Sequence, residues 1–230
     1  MIKHLFLIWG LLAALTAEPV LACTSAVVSG KVTPDGRPLL WKNRDTDYLR
    51  NHVAYIKGEK YNFIADVNSA NFPALKEAWM GTNSVGFALM NTQSYNLVEV
   101  KDGEERGAAN GRIIYRALEV CATVEDFCHF LDTISKPSDI EANFGVIDAQ
   151  GGAAMFEVDY HKYVMYDANN PKDAPYGYIA RTNFSFAGKV NEGAGYVRYM
   201  EADQVLMKAS ATGSITPQFI FNDLSRSFRN

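Results

Sequence analysis

The feature that most constrains this chain is Cys23, which follows directly on a leader of secretory type in the stretch EPVLACTSAVVSG, residues 18–30. Lys3 supplies a positive start, and residues 5–17 form an apolar run. The run is too short to span a membrane, which takes roughly 18 or more apolar residues. We therefore expect a signal peptide at residues 1–22 and no membrane span.

The place of cleavage decides what Cys23 becomes. Cleavage after Ala22 makes Cys23 the first residue of a single mature domain, residues 23–230, and predicts a secreted or periplasmic protein. Cleavage after Ala17 is also compatible with the sequence, and residues 18–22 would then have to be removed by the protein itself.

Three interpretations of Cys23 are open on the residues alone: a structural cysteine, the lipid anchor of a non-catalytic binding protein, and an N-terminal nucleophile. Leu21 stands where lipoprotein leaders carry a small residue, and strand-like residues 24–28 follow in place of a flexible tether. As a nucleophile, Cys23 would carry its own base, because a thiol has a pKa of about 8.5 and an α-amine one of about 7.7–8.0. The amine can therefore accept the thiol proton near neutral pH without a histidine.

Charge and composition exclude several functions. The net charge of −4 comes without a basic tract, which excludes a nucleic-acid partner. The four histidines show no metal-ligand spacing, so we expect no metal and no other cofactor. Of the three cysteines, Cys121 and Cys128 are either core residues or a mutual disulfide, and both alternatives leave Cys23 unpaired.

The pattern of short apolar runs predicts an α+β protein with largely antiparallel sheets, because runs of strands precede and follow runs of helices. The turn TPDG predicts a hairpin at the mature N-terminus. Strands are expected at residues 24–29, 39–41, 52–56, 63–67, 77–80, 86–91, 144–147, 153–158, 163–166 and 178–181. Helices are expected at residues 110–120, 123–134, 195–209 and 217–226.

The stretch CTSAVVSGKVTPDGRPLLWKNRDTD, residues 23–47, resembles the mature start of N-terminal-nucleophile (Ntn) amide hydrolases. It is most similar to the group of acyl-CoA:isopenicillin N acyltransferase, penicillin V acylase and choloylglycine hydrolase. The resemblance implies Cys23 as nucleophile, Asp45 as the carboxylate that positions its amine, and Thr24 as a supporting residue. Lys42 stands where many choloylglycine-type members have arginine, and the resemblance makes it a supporting or substrate-binding residue.

Three further stretches resemble motifs of the same group, in the same order. They are GTNSVGFALMN, RTNFSF and VRYMEA, and they place the family's oxyanion asparagines at Asn91 and Asn183 and its active-site arginine at Arg198. The implied fold is a four-layer αββα sandwich of antiparallel sheets. Relatives continue with further strands beyond the last long helix, so the resemblance also implies a C-terminally truncated version of this fold.

The implied activity is that of an exported cysteine amidase or acyltransferase. Its substrates would be N-acyl compounds such as penicillin V or conjugated bile acids, whose linear amide C–N bond is cleaved through a thioester on Cys23. Hydrolysis and acyl transfer both remain open at this point. The expected partner is a small acyl amide, and relatives that form homo-oligomers make self-association an expectation as well.

Overall fold

The computed structural model describes residues 23–99 and 106–227. The expected signal peptide, residues 1–22, lies outside the described residues. The strands are β1 (Thr24–Val28), β2 (Leu39–Asn43), β3 (Asn51–Ile56), β4 (Phe63–Asn68), β5 (Met80–Asn83), β6 (Ala88–Gln93), β7 (Ala142–Ile147), β8 (Ala153–Val158), β9 (Tyr163–Asp167) and β10 (Tyr178–Arg181). The helices are α1 (Asn110–Val120), α2 (Val124–Asp132), α3 (Tyr196–Ala211) and α4 (Pro217–Asn222).

The N-terminal hairpin is present. β1 and β2 pair antiparallel, from Thr24 opposite Asn43 to Val28 opposite Leu39. Gly36 ends the TPDG turn with a φ of +74°, a conformation that glycine adopts without strain. A short 3-10 helix at Gly30–Val32, which the sequence pattern did not predict, leads into this turn.

All ten strands belong to two antiparallel sheets. The larger sheet has the order β3-β4-β5-β6-β7-β8-β9, and the smaller one has the order β10-β1-β2. The prediction of a strand at residues 77–80 is wrong by about three residues, because β5 begins at Met80, where Met80 pairs with Asp66 of β4. β4 begins at the predicted residue 63, whereas β6 begins at Ala88 and not at the predicted residue 86.

The helices cover the outer faces of the two sheets and produce four layers. α1 and α2 pack on the larger sheet through a core that includes Phe63, Leu118, Phe127 and Phe156. α3 and α4 pack on the smaller sheet around Trp41 and other residues of a second core. The predicted αββα sandwich is therefore observed.

The inner faces of the two sheets meet through a third apolar cluster that includes Val27, Met90 and Met155. Gly145 on β7 allows this approach, because a Cβ there would collide with Met90 and Val27. Side chains alternate along a strand, so Cys23 and Ser25 share the inner face with Val27. The first residue of the hairpin thus lies at one end of the space between the sheets.

The described residues decide the pairing of two cysteines, and they also bear on membrane-spanning helices within that part of the chain. Cys121 and Cys128 form no disulfide; Cys121 is buried in the core beside α1, and Cys128 is half-buried. Among helices of the described part of the chain, none is long and apolar enough to cross a membrane.

Candidate active site

Cys23 lies half-buried at the mouth of a small polar cavity of about 130 Å³. Its Sγ–H group donates to the backbone oxygen of Asp45 at 3.7 Å. The β1–β2 hairpin explains why Cys23 and Asp45 are close. Thr24 pairs with Asn43, so the residues that follow β2 lie beside Cys23. The lining residues are Cys23, Lys42, Arg44, Asp45, Thr46, Tyr48, Trp79, Asn91 and Gln93.

Lys42 reaches this cavity from β2, where it pairs with Ser25. Its Nζ donates to the backbone oxygen of Trp79 at 3.1 Å and to Oδ1 of Asn91 at 3.1 Å. Burial lowers the pKa of Lys42 from 10.5 to about 8, against the opposing attraction of the Cys23 sulfur. The ammonium group is therefore stabilised by its partners but poised to lose its proton in mildly alkaline solution.

Arg44 is engaged away from the thiol. Its guanidinium donates to Oδ2 of Asp66 at 3.0 Å and to Oδ1 of Asn68 at 2.7 Å, and it lies 5.1 Å from the centre of the Trp79 ring. Of the two basic residues near the end of β2, Lys42 is thus the one that interacts with Asn91. The Asp45 side chain is exposed at the cavity rim.

Arg198, in the first turn of α3, ties this helix to the start of β1. Its Nη1 donates to the Cys23 carbonyl oxygen at 2.7 Å and to Oγ1 of Thr24 at 2.8 Å. Its Nη2 donates to Oδ1 of Asn183 at 3.2 Å. Burial lowers the pKa of Arg198, and the nearby Cys23 and Asp45 oppose that shift.

Gly195 makes room for this arginine. It precedes α3 with a φ of +87°, and a Cβ at this position would collide with Nη2 of Arg198 and with the Thr182 side chain. The local sequence therefore serves the site directly, since only glycine combines this backbone conformation with the space that the guanidinium needs.

Asn183 lies behind the cavity rather than in its lining. The residue is 1% exposed, and its Nδ2 donates to the backbone oxygen of Gln93 at 2.8 Å. Because an amide nitrogen carries two N–H bonds, a second one remains for another acceptor. Asn183 thus joins the end of β10 to the end of β6 and holds Arg198.

The structure brings the seven residues singled out in the sequence into one region around the start of β1. Four of them line the cavity, namely Cys23, Lys42, Asp45 and Asn91. Arg198 connects the other two, Thr24 and Asn183, to the Cys23 carbonyl oxygen. No group of three or more histidine, cysteine or acidic side chains that could hold a metal occurs within residues 23–99 and 106–227.

Sequence reasoning missed four residues of the cavity wall, Thr46, Tyr48, Trp79 and Gln93. Gln93 stands two positions after Asn91 on β6, so strand alternation could have indicated it. Nothing in the sequence pattern marks Tyr48 or Trp79, because both reach the cavity through the fold of segments next to strands.

The sequence matches the family model of the acyl-coenzyme A:6-aminopenicillanic acid acyl-transferase over residues 32–204. This is well over half of the chain, and the chain belongs to this family. No curated protein matches the sequence significantly.

Two solved structures have the same fold, that of the Ntn hydrolases. A Caenorhabditis elegans ortholog of N-acylethanolamine-hydrolyzing acid amidase has a TM-score of 0.58 at 16% identity, covering 88% of this chain and 89% of that chain. A variant of the conjugated bile acid hydrolase from Clostridium perfringens has a TM-score of 0.53 at 13% identity, covering 88% of this chain and 74% of that chain.

Proposed function

We propose that this protein is an exported cysteine amidase or acyltransferase that cleaves the linear amide bond of N-acyl compounds. The observation that carries the proposal is the convergence of Asp45, Lys42, Asn91 and Arg198, from three separate parts of the fold, on the residue that follows the expected leader. Membership of an acyltransferase family supports the reaction class.

Removal of residues 1–22 would free the α-amine of Cys23 as the base of the reaction. The amine takes the thiol proton while the sulfur attacks the amide carbonyl carbon, and a tetrahedral oxyanion forms. Asn91 donates to the oxyanion from the cavity wall, and we assign the second N–H bond of Asn183 to the same task. Asp45 accepts from the α-ammonium and holds it beside the sulfur.

Collapse of the tetrahedral intermediate then breaks the C–N bond. The leaving amine receives the proton from the α-ammonium, and the acyl group remains on Cys23 as a thioester. Water attacks the thioester in hydrolysis, with the α-amine again as base, and releases a carboxylic acid and the free thiol. An acceptor amine in place of water gives acyl transfer.

The substrates that we propose are acyl amides of the kinds handled by similar proteins: penicillin V, conjugated bile acids and N-acylethanolamines. The alternative of a lipid-anchored binding protein predicts that the Cys23 sulfur is exposed, so that its lipid can extend away from the protein into a membrane. The half-buried position of Cys23, with β1 beginning at the next residue, favours the nucleophile.

The proposal is tested by intact-mass spectrometry of the exported protein before and after mixing with each acyl amide. We expect a chain that begins at Cys23 and gains the mass of the acyl group within one turnover. Cys23→Ala should abolish the adduct, whereas Cys128→Ser, at a half-buried cysteine outside the cavity, should keep it.

A diacylglycerol adduct on Cys23 would instead establish the lipid anchor. A chain that begins at Glu18 and keeps full activity would refute the role of the α-amine.

A further inference from the structure

The ammonium group of Lys42 is bound on two sides within the catalytic cavity. It donates to the Trp79 backbone oxygen and to Oδ1 of Asn91, each at 3.1 Å. The Trp79 oxygen belongs to the main chain and cannot turn away, so it fixes Lys42 in place. Asn91 is 4% exposed, and its amide therefore has few alternative partners.

This contact sets the orientation of the Asn91 amide. The oxygen and nitrogen of an asparagine side chain have nearly the same shape, and hydrogen-bond partners decide which one faces which way. A charged lysine can only donate, so it selects the oxygen and directs the N–H bonds to the opposite side. A neutral amine can also accept, and it then tolerates the flipped amide, in which the N–H bonds face Lys42.

We propose that Lys42 is a positioning residue that acts through Asn91, because its ammonium group keeps the Asn91 N–H bonds available to the oxyanion. Loss of the Lys42 proton then ends catalysis on the alkaline side. This inference rests on the proposed function.

The surroundings of Lys42 place that limit at mildly alkaline pH. Burial is the main cause that lowers its pKa to about 8, and Arg44, which follows the end of β2, acts in the same direction. The Cys23 sulfur on β1 and the Asp66 carboxylate on β4 act against it. The Asp45 carboxylate faces the same cavity.

The acid side of the pH profile has a different origin. The α-amine must be neutral to act as base, and its ordinary pKa is about 7.7–8.0. The pKa of the α-amine sets the acid limb, and the pKa of Lys42 sets the alkaline limb. Because these two pKa values lie close together, we expect a narrow bell-shaped pH profile of kcat/KM. An arginine at position 42 stays charged throughout this range, so it would move the alkaline limb well upward and leave the acid limb in place.

The test compares the pH profiles of kcat/KM for the wild type, Lys42→Arg and Lys42→Met, with Lys57→Arg as a control at an exposed lysine. We expect Lys42→Arg to move the alkaline limb upward by two pH units or more while the acid limb stays in place. Lys42→Met should lower kcat by about 10²–10³-fold with little change in KM, as for loss of an oxyanion donor. Lys57→Arg should behave as the wild type.

Two further readouts keep the outcome decisive if a variant folds poorly. The pH dependence of Lys42 acetylation, measured by competitive labelling and mass spectrometry on the wild type, should show titration near 8 rather than near 10.5. A thioester on Cys23 together with an unchanged alkaline limb in Lys42→Arg, or titration of Lys42 near its ordinary value, overturns the role of Lys42. Absence of a thioester at every pH overturns the proposed function instead.

Discussion

Two cationic side chains approach Cys23 from different elements, and they do different things. Lys42 comes from β2 and binds Asn91, whereas Arg198 comes from α3 and binds the main chain of Cys23 itself. A thiolate and an oxyanion both gain from nearby positive charge. We therefore assign Lys42 to the orientation of a hydrogen-bond donor and Arg198 to the fixing of the proposed nucleophile.

Replacement of Arg198 by lysine tests the second of these roles. Lysine keeps the charge but loses the planar fork that reaches Cys23, Thr24 and Asn183 together. Loss of one or two charge-assisted hydrogen bonds, about 1.5–3 kcal/mol each, should lower kcat/KM at least about 10-fold. Steady-state kinetics with Lys208→Arg, an exposed site on the same helix, as control would show no such loss. Full activity of Arg198→Lys would contradict the assignment.

Lys42 also makes stability depend on pH. Its folded-state pKa of about 8 lies below the ordinary 10.5, so between these values the unfolded state binds more protons. The free energy of unfolding of the wild type should therefore rise between about pH 8 and about pH 10.5 relative to Lys42→Met, and the difference should be constant below pH 8. Urea unfolding of both proteins across this range measures it. A difference that stays flat, or falls, would show that Lys42 is not desolvated.

At the scale of elements, α3 is placed by the turn before it as much as by its own packing. The buried face of α3 consists of Ala202, Leu206 and Ala209, which lie well beyond the first turn that carries Arg198. Gly195 supplies the conformation and the space at that first turn. A glycine outside the site thus controls a charge inside it.

Gly195→Ala should therefore impair activity more than its backbone strain explains. Alanine at a positive φ costs about 1–2 kcal/mol, and here it would also displace Arg198. Gly213→Ala is the matched control, because Gly213 has a φ of +62° and nothing within 4 Å of an added Cβ. We expect both variants to lose stability in thermal unfolding, but only Gly195→Ala to lose kcat/KM. Equal kcat/KM values for the two variants would contradict the claim that Gly195 positions Arg198.

α2 packs on the larger sheet through two fully buried residues, Phe127 and Leu131, of which Phe127 makes the aromatic contacts. Phe127 is fully buried, and its ring lies 5.1 Å from that of Phe156 and 5.9 Å from that of Phe144. Phe127→Ala should lower the free energy of unfolding by about 3–5 kcal/mol. Phe221→Ala, at a ring that is 69% exposed, should lower it by at most about 1 kcal/mol. Chemical denaturation of both variants checks the contrast, and similar losses would contradict this account of the core.

The extent of the sequence prediction follows the range of the interactions involved. The hairpin β1–β2, the start of α2 near Thr123 and the pair of β7 and β8 depend on near neighbours, and the sequence predicts them. β5 was misplaced because its start depends on pairing with Asp66, which no local pattern shows. Motif resemblance indicated the asparagines and Arg198, whereas the contact of Lys42 with the Trp79 main chain needs the assembled fold.

At the scale of the whole molecule, the four layers bring the ends of β1, β2, β6 and β10 to one edge of the space between the sheets. The apolar cluster between the sheets fixes their separation, and the polar residues collect where that cluster ends. Cys23 directly precedes β1, and the hairpin places it at this edge, next to Asp45. The architecture therefore places Cys23 among the residues that line the cavity.

The most direct measurement compares two proteins that differ by a single residue at the N-terminus. One begins at Cys23 and the other keeps Ala22 ahead of it, so that the thiol is the same but the α-amine has become an amide. The account predicts acyl-thioester formation and turnover for the first, and a rate about 10²–10⁴-fold lower for the second, the contribution expected of a general base. Equal rates for the two proteins would contradict the claim that the amine of Cys23 activates its own sulfur.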